Sequence, residues 1–291
     1  MPIGFAPASR PFAVATVIAT LGRPRLVRAA VDSALRQRTA TAEIVLVNDG
    51  GRVADTAPAA LGPPAPAVRL SVVCLARTGG HVAARNLAVR LTQSDAVALL
   101  DDDDLWLPDH LSGLAAALQA GADLAYSDAE LVYVDRSAPL PMRVLGRRLF
   151  ALEAGDDFPL RYNPVVPSGM AVRRDLFEAL DGFSVESDHH WDWDFLLRAR
   201  AAGADVRRVP RATVVYTLDR GGDNQSARSA EMRTSVTALG RRHGLPNDAV
   251  HTFWSMLDEP DVRSRLVPSE RSWDGTWPGL ISDGGAASPP A

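Results

Sequence analysis

Apolar runs and amphipathic stretches alternate through the first half of the chain. "FAVATVIA" (Phe12 to Ala19) is continuous and β-branched, which predicts a strand buried on both faces. After the turn "LGRP", Pro24 suits the first helical position, and Val27, Val31 and Leu35 with Ala30 and Ala34 form one apolar stripe. "EIVLVN" (Glu43 to Asn48) predicts a second strand. A Pro- and Ala-rich loop leads to a third, "VRLSVVCLA", and a helix from about Gly80 to Leu91 feeds a fourth, "DAVALL". Pro108 then opens a helix with Leu111, Leu114, Ala115 and Leu118 on one face. Strand and helix in strict alternation predict an α/β fold with a mostly parallel sheet covered by helices. In such sheets ligands lie beyond the carboxyl ends of the strands. Thr20, Asp49 and the four aspartates Asp101 to Asp104 each follow a strand directly, so they should share one edge.

The second half is less regular. "DLAYSDAELVYV" predicts one or two strands, and Ser137 to Asn163 reads as a long irregular segment, a length usually reserved for function. A helix is expected over Trp191 to Ala202, two short strands in "DVRRVPRATVVYTL", and a polar helix over Ala227 to His243. From Pro268 the chain is rich in Pro, Gly and Ser, the composition of a loosely docked or disordered tail. These shifts divide the chain into an N-terminal extension (1–11), a regular half (12–135), a less regular half of the same domain (136–245) and a C-terminal helix with a flexible tail (246–291).

Composition narrows the chemistry. The apolar share of 46% and charged share of 23% are those of a globular protein, and a net charge of −4 gives no footprint for nucleic acid or an anionic membrane. No apolar run reaches the roughly 18 to 20 residues that cross a bilayer, so a cytoplasmic protein is expected. The single cysteine, Cys74, excludes an internal disulfide and reads as a buried, inert thiol. All 31 basic residues are arginines, because the chain has no lysine. That removes P-loop, Schiff-base and lysine-nucleophile chemistry together.

The run "VALLDDDDLWLPDHL" concentrates the question. Crowded carboxylates behind an apolar strand must be protonated or neutralised by a cation. Oxygen-only ligands at a strand end suit a hard divalent ion, Mg²⁺ or Mn²⁺, which commonly takes one or two carboxylates and completes its shell with substrate phosphates. The competing reading is a solvated acidic turn in which Asp104 caps the next helix.

"VIATLGRP", "EIVLVNDGG", "GGHVAARNLAV", "VALLDDDDLWLPDHL", "PSGMAVRRDLFEALDGF" and "HHWDWDFLLRARAAG" stand in an order that resembles family 2 glycosyltransferases with the GT-A fold, over about Phe12 to Thr217. The resemblance implies a Rossmann-like sheet with a smaller acceptor-side region. It also implies an inverting transfer of a hexosyl group from a nucleoside-diphosphate sugar, with UDP the expected carrier, to an acceptor hydroxyl of unknown identity. Asp101 and Asp103 match the Asp-x-Asp motif: Asp103, with Asp101, would ligate the metal, and Asp101 or Asp102 would hold ribose and donor sugar. Asp49 matches the carboxylate that accepts a base N–H, Thr20 a further base contact, and Arg85 a residue packed near the base and Asp49.

The same resemblance places the general base at the head of the "WDWDF" helix. Asp194 can pair with Arg198 at i, i+4 and stay structural, whereas Asp192 faces Leu196 at that spacing. Asp192 is therefore the expected base. Trp191 and Trp193 serve either as core anchors or as an acceptor platform, and Ser168 and Gly169 are expected on the acceptor side. Two departures stand out: Trp191 occupies the place of a usual glutamate, and "YTLDRGGDNQ" offers Asp219 where relatives carry a histidine metal ligand. Arg220 beside it could close onto the diphosphate. His189 and His190 lack partners at zinc-ligand spacing and read as helix-entry residues.

Rival readings are weaker. A haloacid-dehalogenase-type phosphatase wants Thr where Leu105 stands, and it needs a lysine. A sugar-nucleotide pyrophosphorylase also needs a lysine. A catalytically silent sugar-nucleotide or glycan binder would have no use for Asp192.

Overall fold

The computed structural model describes residues 11–39, 41–56, 61, 68–136, 140–155, 157–219, 229–245 and 256–282. The four expected N-terminal strands form as β1 (Val14–Thr20), β2 (Glu43–Asn48), β3 (Arg69–Cys74) and β4 (Ala96–Asp101), all parallel in the spatial order β4-β1-β2-β3. Period-2 alternation explains how β1 is buried throughout. Val14 and Ile18 pack into a core on one face, and Ala15, Val17 and Ala19 into a core on the other. Helices α1 (Pro24–Leu35) and α3 (His110–Gln119) supply Val27, Val31, Leu111, Leu114 and Leu118 to the first core. Helix α2 (His81–Leu91) supplies Val82, Ala88 and Val89 to the second.

Beyond β4 the sheet continues through β8 (Met170–Arg173), β6 (Leu124–Asp135), β9 (Val206–Leu218) and β10 (Glu270–Arg271). Strand β8 is antiparallel to both β4 and β6, while β6 and β9 run parallel. Two-residue β5 (Leu105–Trp106) pairs with β9, and β7 (Met142–Phe150) pairs with β6 and with β11 (Ile281–Ser282). The remaining helices are α4 (Arg174–Ala179), α5 (Trp191–Ala201), α6 (Ser229–His243) and α7 (Pro260–Ser264).

Four sequence expectations change here. Within the supposedly irregular stretch after Ser137, β7 forms an antiparallel ladder with β6; Gly146 and three arginines hide its alternation. The two short strands expected around Pro210 are one strand of 13 residues. The helix after β5 begins at His110, not Pro108. The tail from Pro268 is docked through residue 282: Arg271 forms two 2.6 Å bonds to the fully buried Glu130, and Trp273, Leu280 and Ile281 are buried together. Residues 1–10 and 283–291 lie outside the described residues, and Cys74 is only half-buried.

Trp106 joins core to site. It is fully buried, stacks on His110 with centroids 4.5 Å apart, and donates from Nε1 to the Ser168 carbonyl at 2.6 Å. Trp106→Ala is expected to lower the unfolding free energy by about 3–5 kcal/mol, measured by urea denaturation.

Candidate active site

The register of the parallel strands builds the site. Thr20 sits opposite Asn48 and Ala19 opposite Asp101, so β1, β2 and β4 end side by side. Asp49 follows directly, its N–H bonded to the Thr20 carbonyl at 2.8 Å. Their ends open into a cleft of about 700 Å³ whose lining includes Thr20, Arg23, Asp49, Arg85, Asp101, Asp102, Asp103, Trp191, Asp192 and Trp193. That is large enough for a sugar nucleotide.

The aspartate run alternates. Asp101 and Asp103 are partly open, whereas Asp102 and Asp104 are buried. Asp104 is no helix cap: it accepts the Ser168 hydroxyl at 2.6 Å and the Thr217 N–H at 3.0 Å. Burial, with Asp103 and Asp101 beside it, lifts its carboxyl well above the usual range. Ser168 also accepts the Asp101 N–H at 3.0 Å. It is thus a fully buried brace under the run and does not face an acceptor; Gly169 is buried beside it.

Each outer carboxylate meets a guanidinium from a different part of the chain. Arg85 on α2 pairs with Asp101, Arg23 before α1 with Asp102 and Asp103, and Arg136 after β6 with Asp103 at 3.1 Å. Burial pushes Asp102 up to about 6 against the pull of Arg23, with Asp103's charge adding to the rise. Burial acts likewise on Asp103, but Arg23 and Arg136 outweigh it and hold that carboxyl below its ordinary value.

Asp49 accepts the Gly79 N–H at 2.7 Å, the Gly80 N–H at 3.0 Å and the Thr78 hydroxyl at 2.9 Å. A carboxylate has about four acceptor positions, so one is left toward the cleft. Thr20 donates to Asp102 at 2.5 Å. Arg85 lies 4.7 Å from the Trp191 ring centroid, bonded to Asp101 and His81. Its ionic partner is Asp101, and like Asp49, near which the sequence placed it, it lines the cleft.

Across the cleft, Asp192 and Asp194 occupy the first turn of α5. Asp194 is fully buried among cations: Arg198 Nε at 2.7 Å, Arg242 Nη1 at 3.2 Å and His243 Nε2 at 2.9 Å. Among the described residues Asp192 receives neutral donors, the Trp193 backbone N–H and the Asn163 amide at 2.7 Å; burial pushes its carboxyl up to about 6, and the charge of Asp101 adds to the rise. Trp191 and Trp193 are both buried and both line the cleft; Trp193 donates to the Pro159 carbonyl at 2.7 Å.

Asp219 is buried past the end of β9 and is absent from the cleft lining, and Arg220 lies outside the described residues. Among the described residues no three His, Cys, Asp or Glu side chains form a metal cage. The donor set still suits a hard divalent ion. Asp101 and Asp103 offer oxygen alone, are partly open and border the cleft, which is the two-carboxylate mode completed by phosphate and water.

Sequence reasoning missed Arg23, Arg136 and Asn163. Arg23 stood in the quoted turn "LGRP" and was passed over as turn punctuation. Arg136 and Asn163 sit at the two ends of the stretch read as irregular, where nothing local marks them. Asp194→Ala is expected to lower stability by roughly 3 kcal/mol, the low end for a broken buried pair because its arginines keep solvent contact; a thermal melt with denaturant titration checks it.

The comparisons agree with this geometry. The profile described as "Glycosyl transferase family 2" matches residues 16–180. The Bacillus subtilis (strain 168) protein named "Uncharacterized glycosyltransferase YwdF" is 36% identical over 264 residues, 90% of this chain and 96% of that one. Among solved structures, S. aureus TarS 1-349 superposes with a TM-score of 0.55 at 18% identity, covering 79% of this chain and 66% of that one. The mannosyltransferase PcManGT from Pyrobaculum calidifontis, solved with GDP-Man and Mn2+, gives 0.55 at 18% identity, covering 81% and 66%. Among the described residues no helix is long and apolar enough to cross a membrane. With its sheet, its strand-end carboxylates and these matches, the chain belongs to glycosyl transferase family 2 and is a sugar-transferring enzyme.

Proposed function

We propose that the protein is an inverting, metal-dependent transferase that moves a hexosyl group from a nucleoside-diphosphate sugar to an acceptor hydroxyl by single displacement. The observation that carries this reading is the placement of Asp192. It is a buried carboxylate that, among the described residues, has no cationic partner, and it borders the same cleft as the Asp101–Asp103 run. A divalent ion held by Asp103 and Asp101 would supply Lewis-acid stabilisation to the departing diphosphate.

The chain's own residues do the rest. Asp49 has one acceptor position left for a base N–H, which a uracil N3–H satisfies, and TarS has been solved with UDP and with UDP-GlcNAc. UDP is therefore the favoured carrier. Thr20 and Asp102 form the floor beneath ribose and donor sugar. On the other wall, Asp192 takes the proton of the acceptor hydroxyl as that oxygen bonds to the anomeric carbon. The anomeric carbon–oxygen bond breaks on the opposite side, and its electron pair leaves with the diphosphate. Asn163 accepts the Val165 N–H at 3.1 Å while donating to Asp192, which fixes the carboxylate's orientation. Trp191 and Trp193 bound the acceptor end.

Asp192→Asn is expected to keep donor affinity while transfer falls by roughly 10²- to 10⁴-fold, measured by sugar-nucleotide turnover with calorimetric donor binding; retained turnover removes Asp192 from this role. A base must be ionised to work, and this carboxyl is raised to about 6. Transfer should thus be lost as pH falls through about 6, read as the acid limb of kcat/KM.

A further inference from the structure

Three carboxylates face the donor end of the cleft, and three guanidiniums neutralise them. Of the three arginines, Arg23 is the least enclosed: 34% of its side chain is exposed, against 10% for Arg85 and 14% for Arg136. It stands at the N-cap of α1, non-helical at φ −112°, with its side chain free of any capping bond because a guanidinium has no acceptor to offer the helix N–H groups. Its fork reaches across the cleft mouth instead. Nε donates to Asp102 Oδ2 at 3.1 Å, Nη2 to Asp102 Oδ1, and Nη1 to Asp103 Oδ2 at 2.9 Å.

Asp103 Oδ2 therefore already accepts two N–H groups, from Arg23 and from Arg136. An ion cannot bind that oxygen while both guanidiniums stay in place. The lone pairs are taken, and two cations on one oxygen repel. Whichever guanidinium leaves must find another anion, and the one with an open side is Arg23. The anion that arrives with the ion is a diphosphate, which a guanidinium fork matches bidentately.

We infer that Arg23 is a charge placeholder: it neutralises Asp102 and Asp103, competes with the divalent ion for Asp103, and passes to the donor's diphosphate when the ion binds. This rests on the reading of Asp103 as metal ligand. It assigns Arg23 effects of opposite sign on two ligands, which a residue that merely shapes the loop would not have.

The test is calorimetry on the full chain with two probes, Mn²⁺ alone and then UDP at saturating Mn²⁺, on the wild type, Arg23→Ala, Arg23→Lys and Asp103→Ala. In Arg23→Ala, Mn²⁺ alone should bind roughly tenfold tighter, while UDP with saturating Mn²⁺ should bind roughly tenfold weaker, the size of one charge-assisted bond. Arg23→Lys keeps the charge but not the fork, so it should compete with Mn²⁺ nearly as well yet hold UDP less tightly; it also serves if the alanine variant fails to fold. Mn²⁺ and UDP affinities that fall together in Arg23→Ala, or that both stay unchanged, overturn the placeholder role. Asp103→Ala separates the two levels: undiminished Mn²⁺ binding there refutes the metal reading itself, and lost binding there with no gain in Arg23→Ala refutes only the competition.

Discussion

Carboxylates crowded at the end of β4 repel one another, and the architecture around them is organised to contain that repulsion. Asp104 is turned inward onto Ser168 and the Thr217 N–H. Asp102 is turned inward onto Thr20 and Arg23. Asp101 and Asp103 are left at the cleft edge, each against an arginine. The arginines come from positions distant in sequence: before α1, on α2 and after β6. A local acidic run therefore ties four parts of the fold together. Arginine suits this work because its fork stays charged and spans two carboxylates at once, as Arg23 does.

Position depends on the sheet. Parallel strands in register bring the ends of β1, β2 and β4 to one line, so Thr20, Asp49 and Asp101 become neighbours without contact in sequence. The opposite wall depends on the antiparallel strand β8, whose preceding turn carries Ser168 under the aspartates. Trp106 locks that turn by holding the Ser168 carbonyl. Core packing and site geometry thus share residues, and damage to one is felt in the other.

The parts of this arrangement that could be read from sequence are those encoded locally. Strands β1, β2 and β4 show as largely apolar runs because both of their faces are covered, and their strand-end polar residues follow immediately, whereas the edge strand β3 is only half-buried. Asp194's partnership with Arg198 was legible from i, i+4 spacing. Its partners Arg242 and His243 were not, since they arrive on α6 from far along the chain. Strand β7 was hidden because its three arginines break the alternation, although Arg147 answers the buried Glu130 and Arg148 the exposed Asp258. The C-terminal segment misled for a related reason. Its Pro, Gly and Ser content resembles a loose tail, while a few residues, among them Arg271, Trp273, Leu280 and Ile281, anchor it.

Asp192 and Asp194 show how one helical turn separates chemistry from stability. Both are buried carboxylates, and two positions apart they project to different sides of α5. Asp194 faces Arg198, Arg242 and His243, and its bonds to His243 and Arg198 hold its carboxyl below the ordinary value despite burial. That carboxylate is fixed as an anion and its lone pairs are spent. Asp192 faces the amide of Asn163 and backbone N–H groups, all neutral, and its carboxyl rises. A proton acceptor needs this second environment: charged at working pH, yet with a proton affinity brought closer to that of the group it must serve. A cation beside Asp192 would stabilise the ion and weaken the base. Among the described residues arginine pairs with Asp101, Asp102, Asp103 and Asp194 but not with Asp192, which is what the proposed chemistry requires.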